Sequence, residues 1–192
     1  MEKPDIPFEP WAKIARLERD IVITEKIDGT NAGIYISEEM EVSASSRKRW
    51  ILPGEDHFGF TAWVEKNAET LVQDLGAGMH FGEWWGSGVR RGYGLEKGEK
   101  RFSLFNTRKW GRYDRGDGVL EGPIFKTPGV LSVPILYEGP WVQEKVEEVK
   151  FRLLQNGSDA APGFMRPEGI VVFHKAAQVC LKWTFDGDGH KG

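Results

Sequence analysis

The sequence predicts an α+β fold built mostly from antiparallel sheets flanked by helices. Two observations carry that reading: short β-branched or aromatic runs recur along most of the chain, and only two stretches show helical spacing. The first run is Ile21, Val22, Ile23, Thr24 and Glu25, and a Gly-containing turn leads into Ala32, Gly33, Ile34, Tyr35 and Ile36. That pattern predicts a hairpin-like pair of strands around residues 26–31. A third strand is expected over 41–46, after a turn at Glu38 and Glu39.

Phe60, Trp63, Val64, Leu71, Val72 and Leu75 then follow one helical spacing, with Gly76 as the stop. A second helix is expected from the stripe Val142, Val146, Val149, Leu153 and Leu154, ended by Asn156 and Gly157. Strand-like runs fall at 79–85, 102–106, 133–137, 169–173 and 179–185.

A chain of 192 residues fits one domain, 1–192, with a real hydrophobic core. The net charge of −3 argues against a protein that coats nucleic acid through bulk electrostatics. Local clusters differ: Arg47, Lys48 and Arg49, then Arg90 and Arg91, then Lys97 to Arg101, then Arg108, Lys109 and Arg112 could meet phosphates if they share a face. Each also fits a solvated loop. Eight Trp suit either a core or a stacking surface.

Cys180 is the single cysteine, which excludes an intrachain disulfide and a thiolate metal site. It points to a reducing, cytoplasmic setting. The N-terminus carries no apolar signal segment and no run is long enough to span a membrane. His57, His80, His174 and His190 lack metal-ligand spacing. The glycines at 86, 88, 92 and 94 lack the lysine and helix start of a phosphate-binding P-loop. Asp186 to Gly189 lacks the ligands of a calcium loop and reads as a flexible end.

The sharpest chemical feature is Glu25-Lys26-Ile27-Asp28-Gly29-Thr30-Asn31. A lysine at a strand end, just before an Asp-Gly turn, projects its amine into a cleft. Free lysine is protonated, with a pKa of about 10.4, so attack on phosphorus requires burial, nearby cations or a bound metal. Alone, this pattern also fits an exposed lysine beside an ordinary turn. Three other segments accompany it: Glu83 in an aromatic strand between Gly82 and Gly86, Glu168 directly before a buried-looking strand, and Lys182 within the last strand.

Taken in order, these segments resemble the covalent nucleotidyltransferases, the superfamily of DNA ligases, RNA ligases and mRNA capping enzymes. Lys26-Ile27-Asp28-Gly29 resembles motif I, residues 81–86 motif III, Ser103-Leu104-Phe105-Asn106 motif IIIa, Glu168-Gly169-Ile170-Val171 motif IV, and the segment around Lys182 motif V. The wording of residues 24–31 is most similar to the RNA ligase 2 group.

The resemblance implies that Lys26 attacks the α-phosphorus of ATP to give lysyl–AMP, with Glu25, Asp28, Gly29 and Asn31 beside it in the nucleotide site. It further implies that Glu83 holds the ribose, that Phe105 stacks on the purine and that Glu168 binds Mg2+ or Mn2+. Lys182 would contact the α-phosphate, and Arg47, with Arg49 as its rival, the nucleotide or a 5′-phosphate.

Two departures stand out. Cys180 occupies a position where many relatives carry a second motif V lysine, leaving that phosphate contact missing or supplied by Lys175. Asn106 stands where an acidic residue is common. Ten residues follow Lys182, so no OB-fold or other appended domain is expected, and a protein partner or pre-annealed substrate would replace its grip.

The expected activity is an ATP-dependent RNA ligase joining 3′-OH and 5′-phosphate ends on RNA, with DNA or hybrid nicks as further substrates. The alternatives are a minimal ATP-dependent DNA ligase, a nucleotide- or end-binding module without turnover, and an aromatic surface that serves a protein partner.

Overall fold

Ile21, Val22 and Ile23 favour extended backbone and have no exposed surface to speak of, so they form the centre of a strand buried on both faces. That strand is β1 (Asp20–Lys26). The computed structural model describes residues 5–52, 54–114 and 120–186. Along them follow β2 (Thr30–Ile36), β3 (Val42–Ser46), α1 (Phe60–Lys66), α2 (Ala68–Leu75), β4 (Gly78–Gly86) and a 3-10 turn (Gly92–Gly94). Next come β5 (Lys100–Leu104), α3 (Thr107–Trp110), β6 (Tyr113–Asp114), β7 (Leu120–Glu121), β8 (Val130–Ser132) and β9 (Ile135–Pro140). The chain continues through α4 (Gln143–Asn156), β10 (Gly169–His174) and β11 (Val179–Thr184).

These strands form a four-stranded sheet, β11-β10-β1-β9, a five-stranded sheet, β3-β2-β4-β5-β8, and a β6-β7 pair. All pairs are antiparallel except β5 with β8. The α+β class with mostly antiparallel sheets is therefore the observed one.

The expected hairpin around residues 26–31 is not formed: β1 and β2 lie in different sheets. Ile27, which a hairpin would leave at a solvent turn, is buried with Trp85, Tyr93, Val133 and Ala161. The linker is pinned just beyond that residue, because the Asp28 N–H donates to Tyr93 Oη at 2.8 Å and the Gly29 N–H to Glu83 Oε1 at 3.1 Å. The crossing from one sheet to the other is thus a piece of core.

Two further expectations are corrected. The first helix is two, broken at Asn67, whose side-chain amide donates to the Trp63 carbonyl at 2.7 Å and ends α1 before α2 begins. Only residues 135–137 of the run 133–137 are strand, in β9, because Val133 and Pro134 link β8 to β9. Proline has no N–H for a ladder, and the Pro134 carbonyl instead accepts from the Glu25 N–H at 3.1 Å, beside a register shift in β1 at Ile23 and Thr24. Of the expected flexible end at 186–189, Asp186 is held in an ion pair with Arg91, and the rest lies outside the described residues.

Burial follows from the alternation of strand side chains. Ala32, Ile34 and Ile36 of β2, Trp84 of β4 and Phe102 and Leu104 of β5 pack against Phe60, Val64, Leu71 and Leu75 of α1 and α2. Ile21, Ile23, Ile170 and Val172 pack against Val146, Val149 and Leu153 of α4. The stripe on α4 is narrower than expected, since Val142 and Leu154 are exposed. The crossing of residues 27–29 joins the two sheets through the cluster of Ile27 with Trp85 and Val133.

Candidate active site

Register places the nucleophile candidate. Lys26 pairs with Gly169 across β1 and β10, so Glu168, one residue earlier, arrives beside its amine. Lys26 Nζ donates to Glu168 Oε2 at 2.5 Å, with the two side chains only 24% and 16% exposed. The same face of this sheet carries Lys182, which lies opposite Val171, itself opposite Thr24. Lys26 and Lys182 therefore project from one face of the four-stranded sheet.

The second wall comes from the five-stranded sheet. Asn31 lies directly opposite Glu83, and Glu83 opposite Ser103. Burial pushes the Glu83 carboxyl up to about 7, against the pull of Lys26 and the Gly29 N–H, with Glu168 and Asp28 adding to the rise. Three carboxylates and a lysine thus share one cleft. Gly29 has no room for a side chain: a Cβ would overlap the Trp84 carbonyl and stand 2.8 Å from Trp85 Cβ. Phe105, whose N–H donates to the Phe81 carbonyl at 3.0 Å, is 39% exposed just past β5. Arg47 is exposed just past the end of β3, whereas its rival Arg49 is tied to Glu55 at 2.5 Å.

Two expectations fail on geometry. The Glu25 carboxylate faces away from the cleft, since adjacent strand residues point to opposite sides. It accepts from Ser158 Oγ at 2.6 Å and the Ala160 N–H at 2.9 Å, and burial raises its pKa despite both bonds. Its side chain anchors the loop behind the lysine and cannot touch a nucleotide in the cleft. Lys175 cannot supply the phosphate contact that a lysine in place of Cys180 would make. It follows the far end of β10, roughly 20 Å of strand from Gly169, and pairs with Glu138 at 2.6 Å. Cys180 itself lies opposite Phe173, on the Lys182 face.

Sequence reasoning placed Arg91 only in a basic cluster that could meet phosphates, and it passed over Tyr93. Arg91 Nε donates to Asp28 Oδ2 at 2.9 Å and its Nη1 to the Arg166 carbonyl at 3.1 Å, and its Nη2 pairs with Asp186. It joins the lysine turn, the approach to Glu168 and the end of β11. Tyr93 is buried and sits in the left-handed region at φ 52°, between two glycines that share positive φ. The signal is the Gly-Tyr-Gly triplet, which a search for a P-loop passes over. The other basic clusters are partly internal: Arg101 pairs with Glu99, Lys100 donates to the Phe58 carbonyl and Lys109 lies over Trp110.

A lysine paired to a strand-leading glutamate thus faces a second, partly buried glutamate across the junction of the two sheets. The chain belongs to the RNA ligase family, whose model matches residues 19–184. Among solved structures it is similar to an RNA ligase from Naegleria gruberi. A ligand-free variant of that ligase gives 20% identity and a TM-score of 0.58, over 91% of this chain and 52% of that one. A variant with AMP and Mn gives 19% identity and a TM-score of 0.58, over 91% and 53%. A variant with ATP and Mn gives 19% identity and a TM-score of 0.53, over 88% and 50%. The chain thus spans about half the length of these ligases. A comparison with curated proteins returned no match.

Proposed function

We propose that the protein is an ATP-dependent RNA ligase that joins 3′-OH and 5′-phosphate ends through an adenylylated lysine. The observation that carries this reading is the 2.5 Å contact of Lys26 Nζ with Glu168, set opposite Glu83 in a half-buried cleft. The family membership and the nucleotide complexes of the Naegleria ligase support it.

In the first step the Lys26 amine, having given up a proton, attacks the α-phosphorus of ATP. An N–P bond forms, the α–β phosphoanhydride breaks and pyrophosphate leaves. Lys182, on the same sheet face, neutralises charge that develops on the α-phosphate oxygens. Glu83 and Asn31 offer acceptor and donor groups to the ribose hydroxyls. Phe105 offers a face to the purine, and Arg47 a guanidinium to phosphate. In the second step an oxygen of the 5′-phosphate attacks the same phosphorus and Lys26 leaves as the amine. In the third, the 3′-OH displaces AMP.

Among the described residues no cluster of three or more His, Cys, Asp or Glu forms a ready metal cage. The donor set still fits a hard divalent cation, because Mg2+ commonly takes one or two carboxylates and completes its shell with phosphate oxygens and water. Glu168 would hold Mg2+ or Mn2+, which would supply charge neutralisation at the phosphates. Glu168 also serves the free protein by holding Lys26 in place.

The test is sealing of a nick with a labelled 5′-phosphate, in matched RNA and DNA duplexes, by the wild type and by Lys26→Ala. Sealing of RNA by the wild type alone is expected. Equal sealing of the DNA nick would remove the RNA preference and leave the minimal DNA ligase.

A further inference from the structure

The outward face of the five-stranded sheet continues beyond the cleft, and its chemistry is unlike that of a solvated surface. Core packing takes Ala32, Ile34 and Ile36, so Asn31, Gly33 and Tyr35 face the other way. On β4, Glu83, Phe81 and Met79 lie opposite them in turn. Trp50, returning from the Arg47 to Arg49 turn, bridges to Ser45 and sets its ring edge-on to Tyr35, with centroids 5.9 Å apart. Tyr35, Trp50, Met79 and Phe81 are 39%, 52%, 36% and 50% exposed. Gly33 lets two of them lie flat: a Cβ there would stand 2.6 Å from Met79 Cε and 3.3 Å from Phe81 Cδ1.

Resting on the ligase reading above, we propose that this face is a stacking platform for unpaired bases of the strand being sealed. Position argues for it first. Phe81 is two residues from Glu83 on the same face of β4, about 7 Å away, so the platform starts where the nucleotide cleft ends. Charge argues next. The exposed Arg47 and Lys48 follow Ser46, at the end of β3 that pairs nearest Asn31, and are placed to meet phosphates. Glu38, Glu39 and Glu41 close the opposite end and limit the length of strand that can be held. With a net charge of −3, affinity cannot come from the field of the whole protein, and base–ring stacking supplies what phosphate contacts do not. A duplex hides the faces of its bases, so exposed rings select unpaired nucleotides. Trp183, also exposed, already has Lys150 Nζ over its ring at 4.0 Å.

The test measures binding of a fluorescent, 5′-phosphorylated single-stranded RNA of about twelve nucleotides, a few bases per ring, by anisotropy. The same sequence annealed as a blunt duplex is the control. Wild type is compared with Tyr35→Ala/Trp50→Ala and with the ring-keeping Tyr35→Phe/Trp50→Phe, each also assayed for lysyl–AMP formation. The double alanine variant is expected to bind the single strand at least about tenfold more weakly, the worth of one stacked base. Its duplex affinity and lysyl–AMP yield stay unchanged, and the ring-keeping variant behaves as wild type. Unchanged single-strand affinity in the alanine variant overturns the proposal, as does a wild type that binds both forms equally. Self-association that the alanine variant abolishes, with RNA affinity unaltered, would make the face a protein contact and overturn it too. Absence of lysyl–AMP in the wild type would instead strike the ligase reading.

Discussion

A carboxylate withdrawn from water holds its proton more tightly, and Glu83 is the clearest case in this cleft. Its carboxyl rises from 4.5 to about 7. Between those values the folded protein keeps a proton that the unfolded chain gives up, so folding stability falls as pH rises through that window and levels off above it. The span corresponds to on the order of 3 kcal/mol as an upper bound. Glu83→Gln is expected to remove most of that slope and to be the more stable protein at pH 8 (roughly one unit above the titration). Urea unfolding at a series of pH values checks this, and an unchanged slope would show that the buried charge lies elsewhere.

Much of the candidate site is legible at this scale. Lys26, Glu83, Glu168 and Lys182 each stand in a short local pattern whose chemistry is explicit. Glu25 misleads because its neighbour's role says nothing about which face of a strand a side chain takes. The roles of Arg91 and Tyr93 do not show in any local pattern, because their contacts with Asp28 span 63 and 65 residues.

At the scale of elements, β-branching and alternation reveal that a segment is a strand but not which strand it pairs with. The runs at β1 and β2 are plain in the sequence, yet their assignment to two sheets depends on Ile27 being core, a property of distant Trp85 and Val133. Likewise the break at Asn67 interrupts an apolar spacing that reads as continuous. The contact of β4 with β5 is set by a missing side chain. A Cβ at Gly82 would stand 2.6 Å from the Ser103 carbonyl and 2.7 Å from the Phe102 ring. Gly82→Ala is therefore expected to cost about 1–3 kcal/mol through overpacking, read as a lower urea midpoint with unchanged slope. A neutral outcome would mean that the two strands can separate locally without penalty.

Across the whole molecule, three stretches far apart in sequence must converge: the lysine turn, the segment before β10 and the end of β11. Arg91 contacts all three. Its side chain is 22% exposed, and Asp186, at 71%, contributes little through solvent. The Asp28 and Arg166 contacts carry most of the effect, so Arg91→Ala is expected to lose about 1–3 kcal/mol of stability. Adenylylation is expected to fall more than stability alone explains, because the Lys26 turn loosens. Arg91→Lys should rescue neither, since an ammonium cannot reproduce the planar fork. Thermal melts alongside labelling yields check both, and full rescue by lysine would reduce Arg91 to a point charge.

The central claim is that Lys26 becomes covalently joined to AMP. The most direct test incubates the purified protein with ATP labelled on the α-phosphate and Mg2+ or Mn2+, beside Lys26→Ala, after any pre-bound AMP has been stripped with pyrophosphate. Denaturing electrophoresis should show label on the wild-type band and none on the variant. A wild type that binds ATP yet stays unlabelled, or a Lys26→Ala band that labels equally, would contradict it.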